Sequence, residues 1–207
     1  MTIQTFLHVG CGAKHKDRTT REFSTERWTE VRLDIDPQAQ PDFVGTMLDM
    51  SDVADASMDA VFSSHNIEHL YVHELPQAFA EFLRVLKPNG YLVVTCPDLK
   101  SVCQLVVQDQ LTDAVYQSPS GPIAPIDILY GYRPSLAHGN LYMAHRSGFT
   151  LKTLIASLRR NGFASVGAIE RGRAPHFDLW AIATKSLQTN EEVKALAELH
   201  FPGAVQA

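Results

Sequence analysis

Gln4-Thr5-Phe6-Leu7-His8-Val9 runs straight into Gly10-Cys11-Gly12, and that junction decides the fold. A short apolar run that stops at glycine predicts a buried strand followed by a sharp turn. Glycine there lets the backbone bend tightly and lets a ligand approach the main chain. Outward from this point the chain alternates. Glu30 to Ile35 reads as a second strand stopped by Asp36-Pro37, Asp42 to Met47 as a shorter third, and Asp59 to Ser63 as a fourth. Leu75 to Leu86 has apolar residues at helical spacing, with Pro76 in the first turn and Lys87-Pro88-Asn89-Gly90 ending it. Tyr91 to Cys96 is a strongly apolar strand stopped by Pro97, and Leu99 to Tyr116 reads as a helix. Leu151 to Arg160 is an amphipathic helix between Thr150 and Asn161-Gly162. Ser165 to Glu170 and Phe177 to Thr184 are two closing strands, and Glu191 to His200 a terminal helix.

Strands alternating with helices predict an α/β fold, a doubly wound and mostly parallel sheet covered on both faces. The close final pair predicts an antiparallel hairpin at its edge. Ligands of such sheets sit beyond the carboxyl ends of the strands, where the strand order reverses. The ends concerned are Gly10–Gly12, Asp34–Asp36, Thr46–Asp49, Ser63–His69 and Pro97–Asp98.

The 207 residues suit one domain spanning 1–207, and 45% hydrophobic with 20% charged residues is an ordinary globular balance. No apolar run reaches the ~20 residues that span a bilayer. Met1 to Phe6 has neither the basic start nor the apolar stretch of a signal peptide, so a cytoplasmic location is expected. Cys11, Cys96 and Cys103 cannot all pair and form no C-x-x-C motif, so they read as reduced thiols. A net charge of −5 with scattered basic residues argues against a nucleic-acid partner. Residues 118 to 148, with four prolines and several tyrosines and histidines, read as an irregular insertion and an acceptor lid.

Asp34 closes strand two, about twenty residues after the glycine turn, where a carboxylate can take both hydroxyls of an adenosine ribose. A dinucleotide would also need its pyrophosphate on a helix N-terminus with a third glycine. His15 stands there instead, and Lys14 to Glu30 is too polar for a packed first helix, which disfavours a nicotinamide dehydrogenase. S-adenosylmethionine has no phosphate to seat. It needs two glycines, a ribose carboxylate and an apolar adenine slot, and Thr46-Met47-Leu48 suits that slot.

The runs Leu7-His8-Val9-Gly10-Cys11-Gly12, Val31-Arg32-Leu33-Asp34-Ile35-Asp36-Pro37, Ser57-Met58-Asp59-Ala60-Val61-Phe62, Ile67-Glu68-His69-Leu70 and Arg84-Val85-Leu86-Lys87-Pro88-Asn89-Gly90-Tyr91-Leu92 follow in order over about half the chain. In that order they resemble the class I S-adenosylmethionine-dependent methyltransferases, specifically the type 11 group. His145-Arg146-Ser147-Gly148-Phe149-Thr150 and the helix ending Asn161-Gly162-Phe163 look like a subgroup with a shortened first helix. The resemblance implies a Rossmann-like, seven-stranded sheet whose last strand is antiparallel. It implies that Gly10, Cys11 and Gly12 border the methionine part of the cofactor. It likewise implies that Asp34, with Ile35 beside it, holds the ribose, that Met47 and Leu48 border the adenine, and that Ser64 and His65 lie near the sulfonium. The chain departs from the family at Ala13-Lys14, where a third glycine is common, and at Thr46, where many relatives carry an acidic residue.

Ser64-His65-Asn66-Ile67 does not match the Asn-Pro-Pro-Tyr loop of families that methylate exocyclic amines of bases. An oxygen acceptor needs a base, and histidine suits that work near neutral pH. His65, His138 and His145 are the candidates. His145 is preferred because Arg146 and Tyr142 adjoin it in sequence. His65, Glu68 and His69 would share a helical face and suit a metal if His138 or His145 added a ligand, as in methyltransferases with a Glu-x-x-Glu-His element. The plainer reading is a helix start at which Glu68 favours the dipole, and no metal is expected. The expected activity is S-adenosylmethionine-dependent methylation of a small or medium-sized acceptor (a sugar, a phenolic metabolite or a lipid precursor), with oxygen favoured. The alternative is an inactive S-adenosylmethionine-binding protein, motivated by Thr46 and the missing third glycine.

Overall fold

The computed structural model describes residues 3–203. The ends of the expected domain 1–207, including the first two residues of the leader reading at Met1 to Phe6, lie outside the described residues. In chain order the strands are β1 (Gln4–Val9), β2 (Trp28–Asp34), β3 (Phe43–Val44), β4 (Met58–Ser64), β5 (Leu86–Pro97), β6 (Tyr116–Ser118), β7 (Gly121–Ile123), β8 (Ser165–Arg173) and β9 (His176–Thr184). The helices are α1 (Leu75–Val85), α2 (Leu99–Val107), α3 (Pro125–Tyr130), α4 (Arg133–Ala137), α5 (Leu151–Arg160) and α6 (Asn190–His200).

Seven strands form one sheet in the order β3-β2-β1-β4-β5-β9-β8. β1 to β5 pair in parallel, and β9 runs against both β5 and β8. The sheet is the expected one, with the closing hairpin at its edge. Within that hairpin the later strand lies inboard, because β9 is buried almost throughout while β8 is only half-buried. A strand apolar on both faces belongs in a sheet interior, and a mixed one at its rim. The chain winds outward from β1 to β3, then returns to place β4 on the other side of β1. The reversal point therefore lies at the carboxyl ends of β1 and β4.

Successive residues of the central strands face opposite sides. Leu7, Val9, Val61, Leu92 and Val94 meet the apolar faces of α1 and α5, including Phe79, Phe82, Leu154 and Leu158. Phe6, Phe62, Tyr91 and Val93 meet Phe23, Trp28 and Phe201 on the other side. α1 carries Pro76 in its first turn, and Pro88, which lacks a backbone N–H, follows its end. α5 starts on a capping box between Thr150 and Thr153, and Arg159 and Arg160 complement its C-terminal dipole.

The predicted polar stretch after β1 makes one 3-10 turn, Lys16–Arg18, and forms no packed first helix. Side chains from β1 and β2 hold it in place. His8 Nδ1 lies 2.7 Å from Glu30 Oε1, and the Lys16 backbone N–H donates to Glu30 Oε2 at 2.9 Å. The buried Arg32 donates to the carbonyls of Gly12, Lys14, Ala39 and Gln40. One guanidinium thus ties the glycine turn to the loop after β2.

Three expectations need correction. The helix expected over Leu99 to Tyr116 stops at Val107, and Asp109 has a left-handed φ of 62° that breaks the helical path. The strand expected over Asp42 to Met47 is only Phe43–Val44. The insertion at 118–148 is not irregular, for it holds most of the β6–β7 hairpin, α3, α4 and a 3-10 turn at Leu141–Met143. Local polar closures stand in for a large core there. Asp127 accepts the Ala124 backbone N–H at 2.9 Å and pairs with Arg133 at 2.7 Å, and Tyr132 donates to Ser120 O at 2.5 Å.

Candidate active site

Beyond β1 the chain turns through Gly10 at φ 65° and Gly12 at φ 51°, values that favour glycine. The two positions differ in what surrounds them. A Cβ on Gly10 would collide with the side-chain amide of Asn66, whereas one on Gly12 would meet nothing within 4 Å. Asn66 reaches back from the loop after β4, and its Nδ2 donates to Val9 O at 2.9 Å and Ser64 O at 3.1 Å. His65 allows that return by taking a left-handed φ of 55°, a conformation in which histidine is among the more tolerated side chains. Gly10 is thus packed by protein, while Gly12 borders open space.

Asp34 lies beside that space. Its Oδ2 accepts the Gly12 N–H at 2.7 Å and its Oδ1 accepts the Asp36 N–H at 2.9 Å. The turn after the first strand and the acid closing the second therefore share one side of the sheet. A carboxylate has about four acceptor sites, so two remain. Ile35, the next residue, is 43% exposed although it is large and apolar. The turn carrying Met47 and Leu48 is joined to the same strand end by the Gly45 N–H, which donates to Asp34 O at 2.9 Å. Both side chains are half-buried against the core. Ser64 Oγ lies 2.9 Å from Thr95 Oγ1 at the ends of β4 and β5. Burial pushes the Cys11 thiol up to about 11, which leaves it protonated and unreactive at neutral pH.

Next to this region is a cavity of about 220 Å³. His65, Glu68 and His69 line it from the loop after β4, Tyr116 from β6, Ile128 and Tyr132 from the insertion, and Phe177 and Asp178 from β9. His145 completes the wall. It is carried there by a strap over the Ile67–His69 turn, since the Arg146 and Ser147 backbone N–H groups donate to Glu68 O at 2.8 and 3.1 Å. Gly131, at φ 101°, lets the strap approach, for a Cβ there would strike the Met143 carbonyl. A larger groove of about 630 Å³ lies between β8 and α6, beyond β9 and away from the reversal point.

His145 Nδ1 donates to Ile128 O at 2.7 Å, because a carbonyl can only accept, and this leaves Nε2 with its lone pair. Burial pushes the His145 pKa below the ordinary histidine value, favouring the neutral ring. His65 keeps 48% of its side chain exposed, with Nδ1 3.5 Å from Glu68 Oε1. Partial desolvation lowers its pKa, but the Glu68 carboxylate outweighs that and holds it above the ordinary value. Desolvation works to raise Glu68, yet His65, and then His69 and His145, hold it below the usual range. Glu68 is therefore a buried carboxylate, and it sits in a single 3-10 turn rather than at the start of an α-helix.

Of the residues named from sequence, Gly10, Cys11, Gly12, Asp34, Ile35, Met47, Leu48, Ser64 and His65 gather at the strand ends. His65 and His145 share the cavity wall. His138 does not reach it, being exposed with Nδ1 2.6 Å from Pro134 O. Arg146 and Tyr142 do not line the cavity beside His145, because Arg146 stacks 5.1 Å from the Tyr71 ring centroid and Tyr142 is exposed. Tyr116 and Tyr132 line the cavity, whereas Tyr130 and Tyr142 face outward. Sequence reasoning missed Asn66, Arg32 and Asp178. The last is held by Arg171 with Nε at 2.8 Å. Val31-Arg32-Leu33 carried a usable signal, a charged residue between two apolar ones just before the strand's end.

Residues 7–94 match the family model described as a methyltransferase domain. A solved S-adenosylmethionine-dependent methyltransferase from Methanosarcina mazei is similar over 91% of this chain and 95% of its own, at 16% identity and a TM-score of 0.58. One from Archaeoglobus fulgidus is similar over 88% and 86%, at 16% identity and a TM-score of 0.56. The 1,6-didemethyltoxoflavin-N1-methyltransferase of Burkholderia thailandensis, solved with 1,6-didemethyltoxoflavin and S-adenosylhomocysteine, is similar over 89% and 72%, at 13% identity and a TM-score of 0.55. No curated protein matches the chain by sequence. The fold is the one these S-adenosylmethionine-dependent methyltransferases share, and the match over 7–94 covers the strands and loops at the reversal point. Fold and match together support S-adenosylmethionine as the cofactor. Among the described residues no helix is long and apolar enough to cross a membrane.

Proposed function

We propose that this chain transfers a methyl group from S-adenosylmethionine to a small acceptor, with a hydroxyl oxygen favoured, in the cavity walled by His65, Glu68, His145 and Phe177. One observation carries the reading: the open side of Gly12 and the Asp34 carboxylate meet beyond β1 and β2, and the cavity begins at His65, at the end of the neighbouring strand β4. The residues suit the cofactor. Gly12 leaves room at the main chain, Asp34 keeps two acceptor sites for ribose hydroxyls, and exposed Ile35 with half-buried Met47 and Leu48 offers apolar surface for a flat ring. Gly10 and Cys11 shape the turn, and Ser64 closes the far end beside Thr95.

When bound, S-adenosylmethionine supplies a methyl group activated by a sulfonium leaving group. The chain's own part is to align the acceptor, exclude water and take its proton. His145 offers a bare Nε2 on the cavity wall, and His65 stands half-exposed at its rim, so these two are the proton acceptors. A volume of about 220 Å³ favours a small molecule, such as a phenolic metabolite, a single sugar unit or the head of a lipid precursor, over a folded macromolecule. The insertion at 118–148, which supplies Tyr132 and Ile128 to the wall, is the acceptor lid of what is read as one domain in the cytoplasm.

Calorimetry with S-adenosylmethionine and S-adenosylhomocysteine tests the cofactor assignment, and labelled methyl transfer into fractionated small-molecule extracts tests the activity. Cofactor binding without transfer to any fraction would favour an inactive binding protein instead.

A further inference from the structure

Glu68 is 1% exposed, and neither of its carboxylate oxygens has a hydrogen-bond partner. Leaving a buried carboxylate without partners is costly, so such groups are paired with a cation or hold a metal. His65, the nearest basic group, is half-exposed and comes only to 3.5 Å from one oxygen. His69 and His145 present the complementary feature. His69 Nδ1 lies 3.1 Å from Ala144 O and His145 Nδ1 lies 2.7 Å from Ile128 O. Each carbonyl can only accept, so each Nδ1 carries the proton and each Nε2 is left as a bare donor atom. A backbone carbonyl on the remote nitrogen is the arrangement that orients metal-ligating imidazoles. Ligand atoms of Glu68, His69 and His145 all lie within 4.8 Å of one another, the one such group among the described residues.

We propose that Glu68, His69 and His145 bind a divalent first-row transition-metal ion on the wall of the acceptor cavity. Two imidazoles and one carboxylate suit such an ion, whereas magnesium and calcium favour sites built wholly from oxygen. Three protein ligands leave coordination positions open, and all three residues face the cavity. The strap decides which distant histidine joins the pair named from sequence, His145 and not His138, while His65 stays outside the group. This third ligand comes from 76 residues beyond His69, docked by main-chain hydrogen bonds onto Glu68 O. An ion here would hold an acceptor hydroxyl and lower its pKa. That role rests on the methyl-transfer reading, although binding of the ion does not. His145 would then be a ligand, and the acceptor proton would pass to His65. The acceptor oxygen would form its bond to the methyl carbon as the carbon–sulfur bond breaks, with that electron pair staying on sulfur.

The test uses the untagged full chain, stripped with a chelator, dialysed, and titrated with Zn2+ by calorimetry and with Co2+ by visible absorption. The expected result is one equivalent taken up per chain, a raised melting temperature, and affinity weakened at least about tenfold in Glu68→Gln and in His145→Gln. Circular dichroism shows whether each variant folds, and either folded variant suffices. No stoichiometric uptake by the folded wild type would overturn the site, as would unchanged affinity in a folded variant. S-adenosylmethionine binding is measured on the same samples. Ion uptake without cofactor binding leaves the site standing and removes the methyl-transfer reading, whereas cofactor binding without ion uptake removes the site alone.

Discussion

Asp34 accepts two hydrogen bonds, from Gly12 N–H and Asp36 N–H, and keeps two acceptor sites beside the open space at Gly12. Asp34→Ala is expected to weaken S-adenosylmethionine binding by ~1–3 kcal/mol through loss of charge-assisted bonds. Calorimetry on the variant would read this, and unchanged affinity would remove the ribose assignment. Asp34→Asn, which keeps one acceptor oxygen, should fall between the two. At this scale much of the site was legible, because glycine and acid positions at strand ends follow from local pattern alone. The difference between Gly10 and Gly12 was not. It is set by Asn66, 56 residues further on, whose amide fills the space beside one glycine and leaves the other open.

Elements in place of a first helix show how a missing segment is offset. The stretch after β1 is pinned by Arg32, whose guanidinium meets four carbonyls from two loops. Arg32→Met keeps much of the volume and removes the donors. It is expected to cost about 1–3 kcal/mol of stability, since it removes charge-assisted bonds to four carbonyls, and to weaken cofactor binding with it. Urea unfolding followed by calorimetry checks both, and a stability loss under about 0.5 kcal/mol would show that the clamp is dispensable. The strap over the Ile67–His69 turn gives a second test. Gly131→Ala places a methyl against the Met143 carbonyl at a φ of 101°, which a side chain rarely adopts. A destabilisation of about 1–3 kcal/mol is expected. Histidine proton resonances of His145 should shift as the strap lifts, and an unmoved spectrum would contradict this account. Periodicity revealed α1 and α5 well, because each has one broad apolar face. It overran α2, since the polar residues that follow Val107 carry no firm stop signal other than the backbone turn at Asp109.

Across the molecule, α6 is locked to the sheet and to the loop after β1 through its last residue. His200 Nδ1 lies 2.8 Å from Thr20 Oγ1 and Nε2 lies 2.9 Å from the Tyr91 hydroxyl, with Phe23 against the ring. Burial pushes the His200 pKa down to about 4, so the folded state holds the ring neutral. An unfolded histidine titrates near ~6.5 and binds its proton first as the pH falls. This contribution is therefore complete above ~6.5 and is lost as the pH drops from there to about 4, a range of stability of about 3 kcal/mol. Urea unfolding at pH 7.5 and pH 4.5 should show the loss, and His200→Gln should flatten it. An equal slope in the variant would place the effect elsewhere.

The amino-acid order by itself determined the alternation of strands and helices, the parallel sheet, and the glycine and acid that close its first two strands. These follow from side-chain periodicity and turn chemistry over a few neighbouring residues. Only the tertiary structure decided which strand of the last hairpin lies inboard, how the insertion folds, and which histidines stand beside Glu68. Those outcomes depend on contacts between residues tens of positions apart. Their energies come from mutual burial and from hydrogen bonds formed only once both partners are in place, so no local pattern encodes them.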